Sequence, residues 1–139
     1  MRARFVNENV FQRGRSVKAT LSLGKRALIK KWFDDLGKGS NNYVINDDLS
    51  IDYYDYLNLR NTNITELPDN LTVNGGLYLN NTNITKLPDN LTVKDSLDLE
   101  NTNISELPDN LTVKYNIWIS NDMKLSYVPK YLKNKIKII

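Results

Sequence analysis

The chain of 139 residues contains no cysteine and no histidine. The lack of cysteine excludes a disulfide framework, thiolate zinc sites and a cysteine nucleophile, and the lack of histidine excludes the usual catalytic triad. No apolar run approaches the length of a membrane span, and the basic start MRARFVNENVFQRGR has no apolar segment of the kind found in signal peptides. We therefore expect one domain of modest core with an appendage, no secretion signal and no membrane segment.

One phrase occurs three times in the middle of the chain, at intervals of 20 residues. Its copies start at Asn61, Asn81 and Asn101 and read NTNITELPDNLTV, NTNITKLPDNLTV and NTNISELPDNLTV. Each is followed by an apolar triplet with a polar or aromatic middle: Leu77-Tyr78-Leu79, Leu97-Asp98-Leu99 and Ile117-Trp118-Ile119. Degenerate copies extend the pattern from Leu49 to Ile138. Identity at a fixed short period predicts a stacked-repeat solenoid of about five coils.

Within one unit the apolar residues predict which side chains point into the coil. Two short segments, Leu71-Thr72-Val73 and Leu77-Tyr78-Leu79, alternate as half-buried strands do. Turn-forming residues separate them, at Pro68-Asp69-Asn70 and at Asn74-Gly75-Gly76. The predicted inward set of one unit is Leu67, Leu71, Val73, Leu77, Leu79 and Ile84.

The order LPxxLxVxxxLxLxNTxI, over residues 49–138, resembles the short bacterial leucine-rich repeats that begin with Leu-Pro. The resemblance implies that the triplets form a parallel concave sheet whose exposed side binds partners. It also implies an inward polar residue after each triplet, which satisfies backbone groups; by alignment these are Thr62, Thr82, Thr102 and Asp122. The strand-like LTV segment departs from that family, so a related β-solenoid remains the alternative.

The region before the repeats predicts a helix from about Ser22 to Leu36. Leu28, Trp32 and Leu36 recur at helical spacing, and glycine follows as a stop signal. A cap over the first open coil is the expected role of such a helix; docking on another protein is the alternative. The predicted organisation is residues 1–45 as a basic arm with an amphipathic capping helix, and residues 46–139 as the solenoid with a degenerate C-terminal cap strand.

Charge is unevenly distributed along the chain. Residues 1–40 carry ten Lys and Arg against three acids, a net charge of +7, whereas residues 41–122 carry four against thirteen, a net charge of −9. The two regions either neutralise each other, or the basic arm contacts nucleic acid or an acidic partner. The arm residues of interest are Arg2, Arg4, Arg13, Arg15 and Lys18.

The first 60 residues also resemble small proteins of tailed bacteriophages, including phages of gut bacteria. The resemblance is carried by MRARFVNE, a Gly-Arg and a Leu-Gly step, a helix ending in a Trp-containing stretch, and NYVINDDLSID. It implies a phage-encoded protein of the infected bacterial cytoplasm or of the virion, and it implies no activity.

The positions that the repeat leaves free predict the binding surface. The middles of the triplets and the residues two before and two after vary between copies and share one face of the sheet. Aromatic rings beside carboxylates, with an arginine and amides at the rim, form a recognition surface for another protein. The predicted partner-binding residues are Tyr56, Asn58, Arg60, Tyr78, Asn80, Asp98, Glu100 and Trp118. The alternative is a polar sheet face without a ligand.

Other chemistry is expected to be absent. Asp98 and Glu100 lie one strand repeat apart, as glycosidase carboxylates can, but nothing in the pattern buries either to raise its pKa. No catalytic residue, cofactor or metal is predicted. The stack of Asp69, Asp89 and Asp109 lacks the glycine-rich pattern of calcium repeats, and the Glu66, Lys86, Glu106 column predicts a salt-bridge ladder.

The function expected from the sequence is therefore a non-enzymatic protein-binding module. A virion- or genome-associated protein anchored by its basic arm is the first alternative. Glycan binding by Tyr78 and Trp118 is the second. The sequence predicts no oligomeric state.

Overall fold

The computed structural model describes residues 15–139, with side chains from residue 21 onward. The chain divides into two compact units, residues 1–40 and residues 41–139. Of the predicted arm residues, Arg2, Arg4 and Arg13 lie outside the described residues. Arg15 and Lys18 fall on the first turn of helix α1, which spans Arg15–Asp35.

Helix α1 begins before the predicted start near Ser22, because residues 15–21 contain no glycine or proline to stop it. It ends at Asp35, one residue before the predicted end, and the predicted stop signal Gly37 follows with a φ of 72°, the left-handed conformation that glycine adopts without strain. The amide N–H groups of Gly37 and Lys38 donate to the carbonyls of Asp34 and Phe33. The predicted apolar stripe is only partly correct, because Trp32 and Leu36 are partly buried whereas Leu28 is 68% exposed; the fully buried residue of this helix is Phe33, next to Trp32.

Residues 41–139 form a solenoid of about four turns in which each turn contributes one strand to each of two sheets. Sheet A consists, in spatial order, of β3 (Leu57–Asn58), β5 (Leu77–Tyr78), β7 (Leu97–Asp98), β9 (Ile117–Ile119) and β10 (Ile136–Ile138). Sheet B consists of β1 (Tyr43–Ile45), β2 (Ile51–Tyr53), β4 (Leu71–Val73), β6 (Thr92–Val93) and β8 (Thr112–Val113). The predicted fold class, a parallel-strand repeat solenoid with an N-terminal helix, is confirmed.

The strand register follows the sequence period. Residues 20 apart are partners, as in Leu77↔Leu97 in sheet A and Thr72↔Thr92 in sheet B. Strand β1 is the exception, because it pairs antiparallel with β2. This pairing makes Tyr43–Ile45 part of the solenoid unit, although these residues precede the repeat. The LTV segments form the strands of sheet B, so both sides of each turn are extended.

The predicted inward residues form the core. Leu67, Leu71, Val73, Leu77, Leu79 and Ile84 are all buried, as are their counterparts in the next turn. Full burial of one such side chain stabilises the fold by roughly 1.5–3 kcal/mol, and each layer is covered by the layers above and below it.

Inward hydroxyls satisfy backbone acceptors at one corner of each turn. The Oγ1 atoms of Thr62, Thr82 and Thr102 donate to the carbonyls of Leu59, Leu79 and Leu99 at 2.7, 2.7 and 2.8 Å. The expected fourth member, Asp122, is instead exposed. The turn is shifted by one residue in the last copy, where the Met123 N–H donates to the Ser120 carbonyl as Thr62 does to Leu59.

Asparagine side chains link successive turns at the position just before each of these threonines. Asn61, Asn81 and Asn101 all have positive φ, which asparagine tolerates better than most residues. The Nδ2 atoms of Asn81 and Asn101 donate to the Oδ1 atoms of Asn61 and Asn81, at 2.9 and 3.0 Å. The repeated asparagine therefore serves both the turn conformation and the stacking.

Candidate functional site

The repeat-variable positions lie together on the outer side of sheet A. The register places Asn58, Tyr78, Asp98, Trp118 and Lys137 in one row across five strands. Backbone hydrogen bonds continue the pairing on both sides of this row, for example from the Leu57 N–H to the Gly76 carbonyl and from the Asn81 N–H to the Glu100 carbonyl. We call this surface the variable face; its residues are Tyr56, Asn58, Arg60, Gly76, Tyr78, Asn80, Ser96, Asp98, Glu100, Asn116, Trp118, Ser120 and Lys137.

All eight residues predicted to bind a partner are therefore on one surface. Lys137 was not among them. It joins the row because β10 pairs with β9 at a spacing of 19 residues, so that Lys137 is the partner of Trp118. The alternation of Lys and Ile in the final segment was the signal that could have placed it there.

One end of the variable face is a preassembled cluster around Tyr78. The guanidinium of Arg60 lies over the Tyr78 ring, 5.0 Å from the ring centroid. The Tyr56 ring packs edge-on against the Tyr78 ring, with the two centroids 6.2 Å apart. A Cβ atom on Gly76 would lie 2.8 Å from the Tyr78 hydroxyl, so the ring occupies the space that a side chain there would fill. These contacts fix the ring of Tyr78 and use one of its faces.

The middle of the variable face carries a pair of acids. Asp98 Oδ1 accepts a hydrogen bond from the Glu100 backbone N–H at 3.1 Å. Partial burial and the charge of Asp98 raise the pKa of Glu100, and Arg60 partly offsets this shift. The expectation that neither pKa would be raised is therefore wrong for Glu100, because its partial burial and the charge of Asp98 both disfavour the ionised form. Beside Glu100, the Oδ1 atom of Asn80 is buried and accepts no hydrogen bond.

The raised pKa of Glu100 predicts a pH-dependent stability difference. The folded state disfavours the ionised carboxylate of Glu100, so ionisation of this group lowers the free energy of unfolding. This loss of stability is absent below the unfolded pKa of about 4.5 and grows as the pH rises through the higher folded pKa. We expect Glu100→Gln to raise the urea midpoint of unfolding at pH 7 and to leave it unchanged at pH 3. Glu66→Gln, which removes an exposed carboxylate, is the control. A larger gain at pH 3 than at pH 7 would contradict this assignment.

The corner formed by the LPDN loops is also acidic. Successive turns form a groove of about 670 Å³ there, lined by Glu66, Asp69, Thr85, Lys86, Leu87, Pro88, Asp89, Ser105, Glu106 and Pro108. The predicted salt-bridge ladder through Lys86 is not formed: among residues 21–139 the ion pairs within 4.0 Å are Lys30–Asp34 and Lys31–Asp35, both on α1. Side chains at this corner extend into water, so the alternating charges do not meet.

At one end of the same corner, two tyrosines hydrogen-bond to Asp109. Tyr127 donates a hydrogen bond from its hydroxyl to the carboxylate of Asp109, and the Tyr131 hydroxyl donates to the carbonyls of Asp109 and Leu111.

In the described part of the chain, no group of three or more acidic residues is placed to hold a metal ion. Among the described helices, none is long and apolar enough to cross a membrane.

Comparison of the chain with protein-family models, with curated proteins and with solved structures finds no match. The candidate site is therefore defined by the geometry of the variable face alone.

Proposed function

We propose that the protein is a non-enzymatic interaction module that binds another protein through the variable face. The observation that supports this proposal is the register of sheet A, which brings three variable columns of the repeat together on one continuous surface. That surface combines partly exposed aromatic rings with charged groups, the composition typical of interface hot spots. We further propose that the solenoid is of the leucine-rich-repeat type and phage-encoded, acting in the infected cell's cytoplasm or in the virion.

Quantitative affinity enrichment tests the proposed face. The double variant Tyr78→Ala/Trp118→Ala is compared with the wild-type chain as bait, in lysate of infected and uninfected bacterial cells. The matched control is Thr92→Ala/Thr112→Ala, which changes two outward positions of sheet B. We expect the wild-type bait and the Thr92→Ala/Thr112→Ala bait to enrich one partner at least about tenfold, and the Tyr78→Ala/Trp118→Ala bait to lose it.

Thermal unfolding of each bait shows whether the variants remain folded. Retention of the same partner by the Tyr78/Trp118 variant would rule out the variable face. Equal loss in the sheet B control would attribute the effect to the fold instead of the face.

A second candidate function rests on the charge of the first 40 residues, ten Lys and Arg against three acids. A net charge of this sign and density favours binding to the phosphate backbone of nucleic acid. On α1, Lys30 and Lys31 are already paired with Asp34 and Asp35, so the contacts would come from the other basic residues of this region. This candidate predicts DNA binding that weakens steeply with salt and is lost when residues 1–15 are deleted. Salt-independent binding would contradict it.

Glycan binding has less support than either of these functions. Tyr78, one of its two expected stacking platforms, has Arg60 over its ring and Tyr56 at its edge. A sugar would therefore have only Trp118 on which to stack freely.

A further inference from the structure

The variable face has a surplus of hydrogen-bond acceptors at its centre. Asp98 and Glu100 project from the same side of one strand, and no Lys or Arg nitrogen of the described residues lies within 4.0 Å of either carboxylate. The charge of Arg60 lowers the pKa of Glu100 and so partly offsets its rise, but the Arg60 guanidinium is placed over the Tyr78 ring. Adjacent carboxylates repel each other, and no cationic nitrogen of the described residues is within ion-pair distance of this pair, so a bound cation would relieve a cost that the free protein carries.

An aromatic ring without a partner borders this carboxylate pair. Trp118 is the register partner of Asp98, and paired strands are about 4.8 Å apart. The side chain of Trp118 is only partly buried, and no ring or cationic group among the described residues stacks on its indole. Tryptophan is the side chain that attracts cations most strongly through its ring face.

The other end of the face shows that this surface suits a guanidinium. The Arg60 guanidinium lies over the Tyr78 ring, so a cation already stacks on an aromatic ring of this face. Tyr78 is in the same row of residues as Trp118, two strands away. The Trp118 end offers the same kind of ring and adds two carboxylates. A planar guanidinium can stack on an indole and donate two parallel hydrogen bonds to a carboxylate, which an ammonium group cannot do in the same plane.

We propose that the variable face recognises an arginine side chain of a partner's basic segment, with the guanidinium against Trp118 and its N–H groups donating to Asp98 and Glu100. Charge complementarity supports this occupant, because residues 41–139 carry nine Lys and Arg against thirteen acids, a net charge of −4. The carboxylates of Asp98 and Glu100 border Trp118 on one side, and Lys137 is its register partner on the other. The inference rests on the proposed function, since it specifies the chemistry that the same face binds.

The test is an NMR titration of the full-length ¹⁵N-labelled chain with N-acetyl-arginine amide. The chain contains two tryptophans, so its spectrum has two indole N–H signals, and Trp118→Phe assigns them. We expect the Trp118 signal to shift saturably at millimolar ligand and the Trp32 signal to stay unchanged. N-acetyl-citrulline amide, which has nearly the same shape without the charge, should cause no saturable shift.

Variants then separate the carboxylate pair from net charge. Asp98→Asn/Glu100→Gln should weaken binding of N-acetyl-arginine amide at least about tenfold, or ~1.4 kcal/mol. Glu66→Gln/Glu106→Gln removes the same charge from the LPDN corner and should leave the affinity within about twofold. Equal shifts with the citrulline compound, an unmoved Trp118 signal, or equal weakening in both double variants would each overturn the proposal.

The partner found by affinity enrichment distinguishes this inference from the proposed function. If Tyr78→Ala/Trp118→Ala loses that partner and Asp98→Asn/Glu100→Gln keeps it, the face binds the partner but does not recognise an arginine through these carboxylates. If both variants keep the partner, the proposed function itself fails.

Discussion

Replacing Leu97 with alanine is expected to lower the free energy of unfolding by about 2–5 kcal/mol. Leu97 is fully buried in the third turn of the solenoid. Its register partners Leu77 and Ile117 occupy the equivalent positions in the turns on either side, and both are fully buried. Because strand pairing fixes the spacing of these three side chains, the layers cannot close over the cavity that alanine would leave.

Urea unfolding of the wild-type and Leu97→Ala chains measures this loss. The matched control is Leu23→Ala on α1, where the leucine is 65% exposed and the expected change is below about 0.5 kcal/mol. A solenoid has no core outside the stacked layers, so the damage should extend to neighbouring turns. A loss below about 1 kcal/mol would contradict the placement of Leu97 in the shared core.

Replacing Gly75 with alanine is expected to destabilise the solenoid by about 1–3 kcal/mol. A Cβ atom at Gly75 would lie 2.6 Å from the backbone nitrogen of Tyr56 and 2.9 Å from its Cα. These are backbone atoms of the preceding turn, so no rotation of a side chain can remove the clash. The stacked turns would have to separate locally, next to the Tyr56–Tyr78 end of the variable face.

The same substitution at Gly24 provides the matched control. Gly24 lies inside α1, where an added Cβ atom would meet nothing within 4 Å. Alanine is the better helix former, so Gly24→Ala should stabilise by about 0.5–1 kcal/mol. Differential scanning calorimetry should therefore find the two Gly→Ala changes of opposite sign. A stabilising Gly75→Ala would show that the turns do not approach as closely as the structure indicates.

The sequence predicts the solenoid well because one physical constraint recurs in every turn. A leucine such as Leu77 must point inward, and the 20-residue period then places Tyr78, Asp98 and Trp118 side by side. The threonine hydrogen bonds follow for the same reason. Where the period changes, prediction fails: Asp122 is exposed because the last turn is shifted by one residue.

Features that depend on cross-strand packing could not be predicted from the repeat. The position of the Tyr78 ring depends on the absence of a side chain at Gly76 and on Arg60 in the preceding turn. The raised pKa of Glu100 depends on its partial burial, whose extent the alternation of apolar and polar residues does not reveal. The antiparallel strand Tyr43–Ile45 lies before the repeat, so no periodic signal marks it.

Cysteine cross-linking tests the 20-residue register most directly, because the natural chain contains no cysteine. Thr72 and Thr92 are register partners on the outer side of sheet B, and such neighbours lie about 4.8 Å apart, within the range that a disulfide spans. Thr72 and Thr112 are two strands apart, about 9.6 Å, which is too far. Under mild oxidation, Thr72→Cys/Thr92→Cys should form an intramolecular disulfide, whereas Thr72→Cys/Thr112→Cys should keep both thiols free. If the Thr72/Thr112 cysteine pair forms a disulfide as readily as the Thr72/Thr92 pair, or if neither pair forms one, the result would contradict the stacking on which the variable face depends.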